Sequence, residues 1–67
     1  METIGNRIKY LRQEKKLGQI ELAHQLGVGK SIISLWERDE CEPTASKIVA
    51  LAKFFNVSAD YILGLED

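Results

Sequence analysis

The sequence predicts an all-α domain of five short helices. Three observations carry that expectation: apolar residues recur at intervals of three and four, residues suited to helix ends flank each apolar run, and no linker, repeat or low-complexity segment interrupts the 67 residues. Thr3 caps a first helix over about residues 4–16, in which Ile4, Ile8 and Leu11 fall at i, i+4 and i+7 and Gly18 is expected to mark the end. A second helix, about 19–26, starts from Gly18 with Glu21 three residues on. That is a capping box in which glycine replaces the usual Ser or Thr, at a cost of roughly a few tenths of a kcal/mol. Its apolar face is Leu22, Ala23 and Leu26, and Gly27 follows where the helix end needs a residue tolerant of left-handed backbone. A third helix, about 30–38, starts after Gly29, with Val28, Ile33 and Trp36 on its inner side. Pro43 and Thr44 mark the start of a fourth, about 45–56, made amphipathic by Ile48, Leu51, Ala52 and Phe55. Ser58 caps a fifth, about 59–65, which carries Tyr61, Ile62 and Leu65 and has Asp60 in its first turn, where the helix dipole favours a negative charge.

Composition narrows the function classes. The length allows one domain, residues 1–67, with a small core that buries roughly 60% of the unfolded chain's surface. Every apolar run is far too short to span a bilayer, and the N-terminal METIGNRIKY lacks the apolar stretch of a signal peptide, so a cytoplasmic location without membrane contact is expected. The single cysteine, Cys41, excludes an internal disulfide, and one His with one Cys cannot complete a four-ligand zinc site; no metal and no cofactor are expected. The net charge of −1 is low for a nucleic-acid binder, but the charges are unevenly placed. Residues 1–38 hold seven Lys and Arg against four acidic residues, whereas residues 39–67 hold two against six.

The stretch QIELAHQLGVGKSIISLWER, from Gln19 to Arg38, joins two helices through a glycine turn and reads as a helix-turn-helix. Ala23 lies on the inner face, where a larger side chain would push the helices apart. Held at that angle, the second helix is presented outward, which suits insertion into a DNA major groove.

The segments LGQIELAHQLGVGKSIISLWERDECEP and LAKFFNVSADYILG resemble the DNA-binding domain of the Cro and phage-repressor family, also called the XRE family. The match runs from about Ile8 to Gly64 and rests on Gln19, Leu22, Ala23, Gly27, Val28, Ile33, Ser34, Trp36, Glu37 and Pro43 in combination. The resemblance implies a lambda-repressor-like fold and a sequence-specific regulator of transcription, a repressor by preference. Its partner would be double-stranded DNA, an operator of two palindromic half-sites about one helical turn apart, bound by a homodimer.

Carried onto this chain, the resemblance and the helix geometry together assign roles. Lys30, Ser31, Ser34 and Leu35 lie away from the Ile33 and Trp36 face and form the base-reading set. Lys30 can donate to guanine O6 or N7, Ser31 can pair with either kind of base edge, and Leu35 can pack on a thymine methyl. Gln19, at the start of the second helix, suits a phosphate contact, as do Arg12, Arg38 and the amides at Thr44. In the family the positions of Arg12 and Glu37 form an ion pair across the first and third helices. Tyr61, Ile62 and Leu65 give the fifth helix more apolar surface than a small core can cover, and so mark the dimer interface.

Other conspicuous residues have plain readings. His24 is solvent-facing, Cys41 has no neighbouring base to activate it, and Trp36 and Phe55 sit on core faces, so no enzyme is expected. One departure from the family pattern stands out: Asp39, Glu40, Cys41 and Glu42 form an acidic loop where many relatives have Gly with Lys, Arg or Asn. That loop and the net charge favour a second reading on the same scaffold, a protein-interaction module such as an antitoxin or anti-repressor.

Overall fold

The computed structural model describes residues 2–66, and these form five helices: α1 (Ile4–Glu14), α2 (Gln19–Leu26), α3 (Lys30–Glu37), α4 (Ala45–Phe55) and α5 (Ala59–Leu63). None is long enough to be stable alone in water, so each depends on the face it buries. The core shows how that dependence is shared. Its fully buried large side chains are Ile8, Leu22, Ile33, Leu51 and Ile62, one from each helix. Ala23, Leu26, Trp36, Ile48 and Phe55 complete it. Ala23 is buried where α2 crosses its neighbours, as its size requires. Phe54 is half-buried and meets Phe55 edge-to-face with ring centroids 5.0 Å apart.

Side-chain caps start three of the helices where the sequence places them. Thr3, Thr44 and Ser58 accept hydrogen bonds from the backbone N–H groups of Asn6, Lys47 and Tyr61. Gly18 offers no side chain, so only the reverse half of its capping box forms, with the Gly18 N–H donating to Glu21 Oε1 at 2.8 Å.

The helix ends depart from expectation in a consistent way. α1 stops at Glu14 rather than Lys16, because Lys16 takes the left-handed conformation at φ 57° and the Leu17 N–H closes back onto the Arg12 carbonyl at 3.1 Å. Gly18 has no part in that stop. α3 ends at Glu37 by the same device, with Asp39 at φ 59° and the Glu40 N–H on the Leu35 carbonyl at 2.9 Å. α4 ends at Phe55, one residue early, with Asn56 left-handed. α5 is two residues shorter than expected: it ends at Leu63 because Gly64 turns left-handed, and Leu65 lies outside the helix.

Burial removes one of the three expected dimer residues. Ile62 is fully buried in the core, where it closes α5 against the rest of the bundle, and offers nothing to a partner. Tyr61 is half-buried, with the Arg7 guanidinium 4.4 Å from its ring centroid. Leu65 is exposed, as are Leu63 and Val49. Among the described residues no helix is long and apolar enough to cross a membrane, and no His, Cys, Asp and Glu cluster could hold a metal ion.

Candidate nucleic-acid interface

The turn between α2 and α3 is built from two glycines with different tasks. Gly27 is left-handed at φ 69° and lets the Val28 N–H return to the Ala23 carbonyl at 3.0 Å, while Gly29 is extended and starts α3. From α4, Lys47 Nζ donates to the Leu26 carbonyl at 2.9 Å, placing a cation on the open C-terminal end of α2. The motif is thus fixed from behind as well as within.

On α3 the burial pattern separates two faces. Ile33, Trp36 and Glu37 are buried, and Ile32 is half-buried against the core. Lys30 and Ser31 are exposed, and Ser34 and Leu35 are half-buried one turn further on. Lys30 and Ser34, like Ser31 and Leu35, are four residues apart, so all four expected base-reading residues share one outward side. No core residue lies among them.

Behind that face Arg12 and Glu37 form the expected pair, with two parallel hydrogen bonds. Arg12 Nε donates to Glu37 Oε2 at 2.6 Å and Nη2 to Oε1 at 3.0 Å. The side chains are 12% and 4% exposed, so the pair sits mostly out of water. Hydrogen bonding to Glu37 holds the Arg12 guanidinium above its ordinary pKa; burial opposes that shift and the opposite charge reinforces it. Arg12 Nη1 also donates to the Leu17 carbonyl at 2.8 Å, which leaves two of its five N–H groups for any other acceptor. The Glu37 carboxylate has a third donor that the sequence did not suggest: Gln19 Nε2, at 3.0 Å from Oε1. Gln19 therefore has its side-chain amide turned inward, and its backbone N–H, in the first turn of α2, is the group left to meet an anion.

The remaining expected phosphate contacts are exposed. Arg38 bends back to the Ser34 carbonyl through Nε at 3.3 Å and stands 3.3 Å from Glu40 Oε2 through Nη1. Thr44 caps α4, with its hydroxyl 3.2 Å from Ser46 Oγ. In the acidic loop, Asp39 turns toward the start of α1, where it accepts from Thr3 Oγ1 at 2.7 Å and from the Gly5 N–H at 3.0 Å.

A model of the helix-turn-helix family matches residues 8–62. The chain belongs to that family. It is 41% identical over 61 residues to the uncharacterized HTH-type transcriptional regulator YobD of Bacillus subtilis, covering 91% of this chain and 54% of that protein. It is 42% identical over 66 residues to the HTH-type transcriptional regulator DicA of Escherichia coli, covering 97% of this chain and 49% of that one. The chain thus spans about half the length of these curated relatives. Among solved structures, the P22 c2 repressor crystallised with a synthetic operator superposes with a TM-score of 0.91 at 36% identity, covering 98% of this chain and 100% of that one.

Three features of this helix-turn-helix chain escaped the sequence reading. Arg7 is buried on α1 and donates through Nη1 to the carbonyls of Tyr61 at 3.0 Å and Glu66 at 2.7 Å, fastening α5 and the residues after it. A signal existed, because Arg7 stands at i+3 within the Ile4, Ile8 and Leu11 stripe. Gly5 is buried at the start of α1, against the Trp36 carbonyl. The Gln19–Glu37 bond joins residues far apart in sequence and left no local signal.

Proposed function

We propose that this chain binds double-stranded DNA sequence-specifically as a regulator of transcription, a repressor by preference, with α3 in the major groove. One observation carries the reading: Lys30, Ser31, Ser34 and Leu35 form a single outward face on a helix whose opposite side is locked into the core and onto α1. The P22 c2 repressor, crystallised with a synthetic operator, has the same fold over 98% of this chain. Rigid presentation of a few side chains capable of hydrogen bonding and methyl contact is what base readout requires.

In this reading Lys30 and Ser31 meet base edges first, being nearest the N-terminal end of the helix, and Leu35 packs on a thymine methyl. The backbone N–H of Gln19, the two uncommitted N–H groups of Arg12, the Arg38 guanidinium and the helix start at Thr44 contact phosphates. The acidic loop, which speaks for an interaction module, is less repulsive than its composition suggests. Asp39 faces the start of α1 and Glu40 pairs with Arg38.

The reading extends to a homodimer on a palindromic operator in the cytoplasm. Its interface would use Leu63, Leu65 and Val49, which are 41%, 73% and 49% exposed, in place of Ile62. Selection of binding sites from random duplexes tests the whole proposal. An enriched palindrome bound with steep salt dependence supports it; no enrichment and no binding at micromolar protein would replace it with the interaction module. Sedimentation with the selected duplex tests the dimer, which one protomer per palindrome would exclude.

A further inference from the structure

We propose that Asp39 is a positioning residue for DNA recognition, one that sets the tilt of α3 through the start of α1. The inference rests on the DNA reading above. Asp39 sits at φ 59°, a conformation that favours glycine and that Asp and Asn tolerate better than other residues. Its carboxylate takes two hydrogen bonds from α1, from Thr3 Oγ1 and from the Gly5 N–H. Gly5 makes the approach possible. A Cβ there would run into the Trp36 carbonyl and come 2.7 Å from Asp39 Oδ1, so the end of α3 lies directly against the first turn of α1. The charge is well placed for α1, whose N-terminal dipole favours an anion, and poorly placed for α3, at whose C-terminal end it stands. Its siting serves the junction and not the helix that carries it.

The second attachment gives the first its effect. Arg12 holds Glu37 seven residues further along α1, about 10 Å at 1.5 Å per residue. On the α3 side the two anchors, Glu37 and Asp39, are only two residues apart. Two fastenings spread along one helix and close together on the other fix the crossing angle as well as the separation. Apolar burial of Ile33 and Trp36 has no such directionality. The Asp39 clasp therefore determines where Lys30 and Ser31, at the far end of the helix, meet the groove.

Two variants test this, both studied well below their melting midpoints. Asp39→Gly accepts the left-handed backbone without strain and removes both acceptors; Asp39→Asn keeps an acceptor for the Gly5 N–H, loses the charge, and faces Thr3 Oγ1 with an N–H donor in place of an acceptor. Asp39→Gly should bind the selected duplex about tenfold more weakly, the scale of one lost base contact, and bind a random duplex of equal length no more weakly than the parent protein. Asp39→Asn should restore most of the discrimination. Residual dipolar couplings of the DNA-free Gly variant should show α3 re-tilted against α1. Unchanged couplings with an unchanged ratio of specific to random affinity would overturn the proposal, even if the melting temperature fell, because Asp39 would then be a cap and nothing more. A parent protein that binds no selected duplex overturns the DNA reading by itself, and the couplings then decide the tilt separately.

Discussion

Replacing Arg12 by Met should destabilise the protein far more than loss of an ordinary surface ion pair. Glu37 is 4% exposed, and without Arg12 its carboxylate keeps a single side-chain donor, Gln19 Nε2. Removing one partner of a buried pair costs about 3–5 kcal/mol, and the lower end applies here because Arg12 retains some contact with water. For a domain of this size total stability is on the order of 3–10 kcal/mol, so the change consumes a third or more of it. The expected fall in melting temperature is roughly 12–24 °C. Urea denaturation followed by Trp36 fluorescence and far-ultraviolet circular dichroism measures it. Because the cost lies in an unpaired buried carboxylate, Arg12→Met with Glu37→Met should recover most of the loss, giving a coupling of about 2 kcal/mol or more in a double-mutant cycle. The loss should also change little between low and high salt, since a buried pair is poorly screened. The raised pKa of Arg12 means its charge contributes fully at all pH values below the ordinary arginine range and is lost only above it, so this titration brings no pH dependence near neutrality. A loss below about 1 kcal/mol that disappears in salt would refute the reasoning, since that is how an exposed pair behaves.

Three further perturbations separate the roles assigned above. Leu35→Ala should relax preference at one or two base pairs by about 1–3 kcal/mol, whereas Arg38→Ala should weaken specific and random duplexes alike and reduce the salt slope by about one unit; binding titrations at several salt concentrations distinguish them. Gly5→Ala should destabilise by about 3 kcal/mol or more, at the upper end of overpacking costs, because the obstructing groups include the Trp36 backbone carbonyl, which cannot rotate away; thermal melting shows it. Lys16→Gly should stabilise by up to about 1 kcal/mol, since Lys16 is exposed and held at φ 57°, and an unchanged melting temperature would mean that the added freedom of the unfolded chain offsets the relief.

The elements were legible because helix formation is signalled locally. The Thr3, Thr44 and Ser58 caps and the apolar intervals of α1, α2 and α4 are properties of neighbouring residues. Helix ends were less legible, because Lys16 and Asp39 adopt a conformation that sequence reasoning reserves for glycine. What supports Asp39 there is tertiary: its carboxylate is engaged by Thr3 and Gly5, contacts 36 and 34 residues away in the chain. α5 departs from expectation for the opposite reason. Gly64 gave a local stop signal, and the apolar Leu65 beyond it suggested a longer helix. In the candidate site, the outward placement of the α3 set follows from periodicity, while its base-reading role and the Arg12–Glu37 pair come through family resemblance. Gln19 shows the limit of both, since its position was read correctly and its side chain is spent on Glu37.

The same distinction bears on where variants affecting DNA binding should arise. An eight-residue helix has no stability of its own in water, and α3 leaves half its circumference unburied to keep a reading face. Its order must come from Ile33 and Trp36 in the core and from polar fastenings to α1 at Glu37 and Asp39. Those fastenings lie at the C-terminal end, while the residues placed to reach bases begin at Lys30. Any loosening is therefore amplified along the helix toward the groove. Substitutions at Thr3 or Gly5, neither of them on α3, should appear in a binding screen as losses of discrimination, and those at Arg12 as the same loss together with weaker binding to every duplex. Substitutions at Lys9 or Gln13, exposed on the same α1 and with no side-chain hydrogen bond to α3, should leave discrimination intact.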